Sequence, residues 1–133
     1  MSTDFQTMTL PTEPTVVAPD GSDVRVLLGL PGGGMAHFEL AAGQTARALA
    51  HRTVGEIWYV LAGRGQMWRR TGEREEVTEL VPGVCLTIPL GTQFQFRAAA
   101  DQAVSAVAIT LPPWPGADEA VWVPGPWTPS VPG

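Results

Sequence analysis

The stretch GQTARALAHRTVGEIWYVLAGRG, residues 43–65, says the most about the fold. It contains His51, one of only two histidines in the chain, and Glu56 follows five positions later. The segment EIWYVLAG, which begins at Glu56, is rich in β-branched and aromatic residues and is typical of a strand. Gly43 and Gly63 bracket the region and favour tight turns. The stretch therefore predicts a strand with an imidazole and a carboxyl group between two turns.

The composition indicates a single domain of short strands. The chain has 133 residues, of which 44% are hydrophobic and 16% are charged, so it is globular and long enough to bury a substantial core. Its 15 glycines and 13 prolines are spread along the sequence and separate apolar segments at the spacing of a sandwich or barrel. We therefore predict one all-β domain.

Three regions are predicted along the chain. Residues 1–20 are polar and interrupted by proline, and we expect an N-terminal arm. Residues 21–111 hold the strand-like segments and form the barrel. Residues 112–133 are rich in proline and tryptophan, and we expect this tail to be extended and packed on the barrel or on a dimer partner. Within the tail, DEAVW is predicted to form a single helical turn.

Charge and composition exclude several classes of partner. The net charge is −5 and all eight basic residues are arginine, without a basic face for a phosphate backbone, so we expect no nucleic-acid partner. No segment approaches the ~20 apolar residues of a membrane helix, and the N-terminus lacks a secretory signal pattern. We therefore expect a cytoplasmic protein without a membrane partner. The single cysteine, Cys85, cannot form an internal disulfide and is predicted to be a small buried residue.

Residues 43–63 resemble the first motif of the cupin superfamily, G-x5-H-x-H-x3–4-E-x6-G. Both glycines are in register, His51 matches the second histidine and Glu56 matches the acid. Leu49 stands where the family has its first histidine. The spacing therefore resembles the family motif closely, while one ligand position is apolar.

Residues 83–97 resemble the second cupin motif, G-x5-P-x-G-x2-H-x3-N. Gly83, Pro89 and Gly91 are in register. Phe94 stands at the histidine position, and the asparagine position is not kept.

The resemblance implies a cupin double-stranded β-helix, a jelly-roll barrel in one domain, and a homodimer. Family members hold one divalent metal, such as Mn, Fe, Ni, Cu or Zn, with the histidines and the glutamate of the two motifs. For this chain it implies His51 and Glu56 as metal ligands. Leu49 and Phe94 cannot donate an electron pair to a metal.

Two registers of the second motif are left open by the sequence, because side chains alternate between the two faces of a strand. If the turn after Gly91 is one residue shorter than usual, Gln93 occupies the ligand position and Gln95 also faces inward. In the strict register, Phe94 and Phe96 line an apolar pocket and no fourth ligand exists.

Two functions follow from the resemblance. The first is a small-molecule enzyme with dioxygenase, isomerase, decarboxylase or cyclase chemistry, in which His51, Glu56 and Gln93 hold one divalent metal. Glu56 and His51 are the predicted catalytic residues, since an enclosed carboxyl group can act as a general acid or base. The alternative is a metal-free module that binds a small ligand, which Leu49 and Phe94 favour. A purely structural or assembly role, suggested by the tail, is a third interpretation.

The remaining residues of the motif strand are assigned by alternation. Trp58 shares a face with Glu56 and is predicted to point inward and line the substrate pocket. Tyr59 points outward, toward a dimer partner. Met67 and Trp68 on the following strand are predicted to belong to the core.

Three other residues carry alternative roles. His37 is predicted to lie at the surface or at a strand end, with a ligand role as the minor alternative. Arg47 and Arg97 are predicted to lie at the surface near the barrel mouth, with binding of an anionic substrate group as the alternative.

Overall fold

The computed structural model describes residues 4–131, without the side chain of Ala117, and confirms the all-β prediction. Within these residues no helix has the length and apolarity needed to cross a membrane. The only helical element in the described residues is a single 3₁₀ turn, Ala117–Glu119, which overlaps the first two residues of the predicted turn DEAVW, while the other three form a strand. The strands are β1 Val16–Val17, β2 Asp23–Leu30, β3 Gly33–Leu40, β4 Leu49–His51, β5 Gly55–Gly63, β6 Gly65–Thr71, β7 Arg74–Leu80, β8 Cys85–Ile88, β9 Gln93–Ala98, β10 Val104–Leu111 and β11 Ala120–Trp122.

The strands form two antiparallel sheets, as in a jelly-roll barrel. The larger sheet has the order β1-β2-β3-β10-β5-β8, and the smaller has the order β11-β4-β9-β6-β7. The consecutive strands β4 and β5 belong to different sheets, so the loop of residues 52–54 crosses from one sheet to the other. His51 ends β4 and Glu56 lies near the start of β5. The crossing therefore brings the two residues together.

Strand β5 shows the alternation that builds the barrel. Glu56, Trp58 and Val60 are buried on the inner face, while Tyr59 and Leu61 are 48% and 44% exposed on the outer face. The inward position of Trp58 and the outward position of Tyr59 agree with the sequence pattern. The homodimer stays a prediction.

The same alternation corrects the prediction for Cys85. This residue is exposed, because β8 turns Leu86 and Ile88 inward and leaves Cys85 on the outer face. The alternation of β8 places Leu86, not Cys85, in the core, so the apolar character of Cys85 did not determine its position.

The aromatic core joins the two sheets. The Trp58 ring stacks on Phe38 of β3 at 5.0 Å and meets the edge of Phe96 of β9 at 5.0 Å between ring centroids. Met67 pairs with Phe96 across β6 and β9 and is fully buried in this core. Trp68 is also buried, but it is on the opposite face of β6, paired with Gln95, and its indole donates to Glu75 at 2.7 Å.

The C-terminal tail packs on the outer face of its own smaller sheet. Strand β11 pairs with β4, and the side chain of Gln95 donates to the carbonyl oxygens of Ala46 and Trp127 at 2.8 Å each. No space is left for a side chain at Gly125, where an added Cβ would overlap Gln95 and Ala48. The tail therefore packs closely against the barrel at these positions.

The N-terminal segment is also part of the fold from residue 16 onward. Strand β1 pairs with β2, and Asp20 in the turn that follows is buried. Before it, the carbonyl oxygens of Pro11 and Thr12 accept hydrogen bonds from Arg25 at 2.8 Å and 3.0 Å. Part of the predicted arm therefore contacts the barrel, and the domain boundaries stay a prediction.

The turn between β5 and β6 depends on Gly63. Its φ angle is 81°, in the left-handed region that favours glycine, and an added Cβ would overlap the carbonyl oxygen of Ala103. Gly72, at the tip of the β6–β7 hairpin, has a φ angle of 60°, but an added Cβ there would meet nothing within 4 Å. The two positions therefore share the backbone strain and differ in the steric clash.

We expect Gly63→Ala to destabilise the protein far more than Gly72→Ala. The backbone conformation costs about 1 kcal/mol in either variant, and the clash with Ala103 adds about 1–3 kcal/mol at Gly63 alone. Urea unfolding followed by tryptophan fluorescence measures both losses. Equal losses in the two variants would contradict the role assigned to the close approach.

Candidate functional site

A cavity of about 890 Å³ involves the inner face of the barrel near β4 and β5. Most of its wall is hydrocarbon, from the larger sheet, the N-terminal segment and the tail. The polar side chains on this wall are few, and His51, Glu56, Asp20 and Thr110 are those with chemical significance. A cavity that is mostly apolar, with a few convergent polar groups, is the usual form of a small-molecule site.

His51 and Glu56 form a hydrogen-bonded pair at this wall. Nε2 of the imidazole is bonded to Oε2 of the carboxyl group, and both side chains are buried. The indole of Trp58 donates to the other oxygen, Oε1, at 3.0 Å. Glu56 therefore has a partner on each oxygen, and its orientation is fixed from two sides.

The loop between the pair is anchored by Glu119. The carboxylate of Glu119 accepts hydrogen bonds from the Thr53 amide at 2.6 Å, the Val54 amide at 3.1 Å and the Thr53 hydroxyl. Burial opposes ionisation of this carboxyl group, but the hydrogen bonds from Thr53 and Val54 outweigh it and lower the pKa of Glu119. The tail thus holds the loop that sets the distance between His51 and Glu56.

The other ring nitrogen of His51 has no partner. Nδ1 is buried and makes no hydrogen bond within residues 4–131. The ring is enclosed by Phe94 at 5.1 Å and by the edge of Trp114 at 5.2 Å between centroids. In the neutral imidazole whose Nε2–H donates to Glu56, Nδ1 presents a lone pair. This arrangement of a base oriented by a carboxylate can accept a proton from a bound molecule.

Asp20 is a further acidic residue at the cavity, and the motif pattern gave no sign of it. It is 3% exposed, and its Oδ1 accepts hydrogen bonds from the Ser22 amide at 2.9 Å and the Ser22 hydroxyl at 2.6 Å. Burial raises the pKa of Asp20 to about 6, the bonds from Ser22 oppose the rise, and the charge of Glu56 adds to it. Asp20, His51 and Glu56 all line the same cavity.

A family assignment follows from comparison with known proteins. The sequence model described as "Cupin domain" matches residues 36–110, more than half of the chain. The chain belongs to the cupin family. No curated protein sequence matches it significantly.

Solved structures with the same fold accompany this assignment. A cupin protein, BF4112 from Bacteroides fragilis, is 23% identical with a TM-score of 0.64, over 84% of this chain and 86% of that one. KdgF from Halomonas sp. is 16% identical with a TM-score of 0.66, over 80% and 94%. A Streptomyces PAC13 variant with uridine is 14% identical with a TM-score of 0.66, over 90% and 92%. By contrast, this cupin spans only 30% of the coconut allergen cocosin. At these identities the similarity concerns the fold.

The side chains of this cupin do not fit the divalent metal that family members commonly hold. Leu49 and Phe94 occupy two donor positions of the motifs, and both are buried hydrocarbon beside the pair. Throughout residues 4–131, no group of three or more histidine, cysteine, aspartate or glutamate side chains is arranged to bind a metal ion. His51 and Glu56 are also bonded to each other through the atoms that a metal would use.

The second motif adopts the strict register. Phe94 pairs with Leu49 across β9 and β4 and lines the cavity, while Gln93 pairs with Ala50 on the opposite face. The structure therefore corrects the alternative placement of Gln93, which it does not bring to His51. The register could not be read from the sequence, because it depends on the length of the turn after Gly91.

Two of the predicted pocket residues lie elsewhere. Gln95 is on the outer face of β9 and is bonded to the tail through Ala46 and Trp127, so its inward placement is also corrected. Phe96 faces inward but lies behind Trp58 in the core. Trp58 and Phe94 do line the cavity.

The remaining candidates are outside the site. His37 is buried in the middle of β3, not at its end, and faces Val107 on the neighbouring strand, away from the cavity. The guanidinium of Arg47 stacks over Trp122 at 4.3 Å, and that of Arg97 stacks over Trp127 at 4.0 Å. Both arginines therefore hold the tail to the barrel.

Asp20→Asn is expected to stabilise the protein at neutral pH. The amide oxygen can still accept the bonds from Ser22, while the buried charge is removed. Because the folded-state pKa of about 6 exceeds the usual 3.8, the folded wild type binds the proton more tightly than the unfolded chain. Its free energy of unfolding therefore falls as the pH rises from about 4 to about 6, by at most about 3 kcal/mol.

Urea unfolding at about pH 4 and about pH 7.5 checks this prediction. The stability of Asp20→Asn relative to wild type should rise between the two pH values. Asp101→Asn, which removes an exposed carboxyl group in a turn, controls for the change in net charge. A relative stability of Asp20→Asn that stays constant with pH would show that the carboxyl group is not strained by burial.

Proposed function

We propose that this cupin binds a small, mostly apolar molecule in the barrel cavity without a metal ion. The observation that carries the proposal is the replacement of two donor positions by Leu49 and Phe94, directly beside the hydrogen-bonded pair of His51 and Glu56. At these two positions the cavity therefore has an apolar wall in place of metal-donor atoms. The pair is left as a polar feature of an apolar cavity.

The size and composition of the cavity support a small molecule. Its volume of about 890 Å³ lies in the range of cavities that enclose most of a ligand of moderate size. The wall includes the rings of Phe38, Trp58 and Trp114, which suit a flat or apolar body. The uridine complex of the PAC13 variant shows that a protein of this fold can be prepared with a small organic molecule.

Metal content tests the proposal directly. We expect the protein, purified without chelator and without nickel affinity resin, to contain far less than one metal per subunit by plasma mass spectrometry. Incubation with Mn, Fe, Ni or Zn should not change this. EDTA should leave the melting temperature unchanged, because only a ligand that binds the folded state stabilises it.

A variant with Leu49→His and Phe94→His is the matched positive control. It restores histidine at both apolar donor positions of the motifs and should take up about one metal per subunit, since four donors bind far better than two. Near-stoichiometric metal in the wild-type protein would overturn the proposal and return the function to a metal-dependent enzyme.

A second candidate function is proton transfer without a metal. It is favoured by the unpartnered Nδ1 of His51, whose ring is oriented through Nε2 by Glu56. A base held in an apolar cavity by a carboxylate has the features of a general-base catalyst. Its substrate would be a molecule whose acidic C–H, N–H or O–H group faces His51.

Nitrobenzisoxazole is a suitable probe, because a single base removes its ring C–H proton while the N–O bond breaks and a coloured cyanonitrophenolate forms. We expect the wild-type protein to accelerate this reaction, and His51→Gln to lose the acceleration by about 100-fold or more. Glu73→Gln, at the exposed hairpin tip, is the control and should keep full activity. A rate that does not change in His51→Gln would exclude the imidazole as the base.

A further inference from the structure

We infer that the cavity is selective for small amines, with the ammonium group at Asp20 and His51 and the apolar body against the aromatic wall. This inference rests on the proposed function that the cavity binds a small molecule, and it names the chemical class of that molecule. Three features of the polar part of the wall support it.

The first feature is a buried carboxyl group without a cationic partner. Asp20 makes no ion pair with lysine or arginine in the part of the chain that the structure describes, and its hydrogen bonds from Ser22 both go to Oδ1. Oδ2 is thus left for a ligand. Placing a carboxylate in an apolar wall is costly unless a positive charge compensates it. An ammonium group would supply that charge.

The second feature is independent of Asp20. His51 is 7% exposed and lines the cavity, and its buried Nδ1 has no partner within residues 4–131. In the neutral imidazole whose Nε2–H donates to Glu56, Nδ1 is a buried acceptor without a donor in these residues. An ammonium group has three N–H donors, enough for hydrogen bonds to both of these cavity-lining side chains.

The third feature is that no arginine lines the cavity within residues 4–131. Arg47 stacks over Trp122, and Arg25 binds Glu39 and the N-terminal segment. The indole N–H of Trp58 is used by Glu56. With two carboxyl groups and one imidazole, the cavity disfavours carboxylate and phosphate ligands by like-charge repulsion.

The aromatic wall completes the match. Phe38, Trp58, Trp114 and Trp122 line the cavity together with the polar groups. Aromatic faces attract ammonium groups as well as apolar bodies, particularly where water is displaced. An amine carried on an aromatic or aliphatic body of moderate size therefore satisfies both parts of the wall.

Three matched probes test the inference by isothermal titration calorimetry on the full chain at neutral pH. Phenethylamine, phenethyl alcohol and hydrocinnamate share a phenyl ring on a short chain and end in an ammonium, a hydroxyl and a carboxylate group. We expect phenethylamine to bind about tenfold tighter than either of the other two, which is the usual scale for one charge pair in a partly buried site.

Asp20→Asn separates the charge from the shape of the cavity. It should weaken phenethylamine about tenfold and leave phenethyl alcohol within about twofold, while Asp101→Asn should change neither. Loss of folding cannot imitate this result, because the affinity for the alcohol reports an intact cavity in the same variant.

The outcomes distinguish the inference from the proposed function. Equal affinities for the amine and the alcohol, tighter binding of hydrocinnamate, or an unchanged preference in Asp20→Asn would overturn the selectivity for amines and leave small-molecule binding in place. If none of the three probes binds at millimolar concentration, both the inference and the binding function fail.

Discussion

Both the barrel and its candidate site depend on the contacts of the Trp58 indole. Its ring lies between Phe38 of the larger sheet and Phe96 of the smaller sheet, so it ties the two layers together. Its N–H donates to Glu56, which in turn holds the ring of His51. A rigid aromatic core of this kind keeps a carboxylate in one orientation. The same indole therefore sets both the packing of the core and the orientation of the polar pair.

The replacement of metal ligands by hydrocarbon changes the electrostatics of the interior. A divalent cation would offset the carboxylates around it, whereas here a single imidazole shares the space with Glu56 and Asp20. Burial opposes the ionisation of Asp20 and raises its pKa, so its carboxylate is costly in this wall.

Much of the fold could be predicted from the sequence, because turns and alternation are local properties. The glycine spacing identified the turns around β4 and β5, and the period of two placed Trp58 inside and Tyr59 outside. His51 and Glu56 were identified because the motif fixes their separation along the chain. These features depend on neighbours that are close in sequence.

The residues that were missed or misplaced depend on distant parts of the chain. Gln93 and Gln95 face away from the cavity because pairing with β4 and β6 sets the register of β9. Asp20 lies at the cavity because the N-terminal segment, including Val16 and Val17, forms part of its wall. Cys85 is exposed because the core is already filled by the residue after it. No local pattern contains this information.

The closure of the barrel by both ends of the chain has a consequence for the order of folding. The indole of Trp122 donates to the carbonyl oxygen of Pro19 at 3.1 Å, across a separation of 103 residues, and Val131 is buried in the core. Contacts of such long range form late, because the intervening chain must first be ordered. During synthesis, the wall of the cavity is therefore incomplete until residues as far along as Trp122 have left the ribosome. The cavity is among the last features of this domain to form.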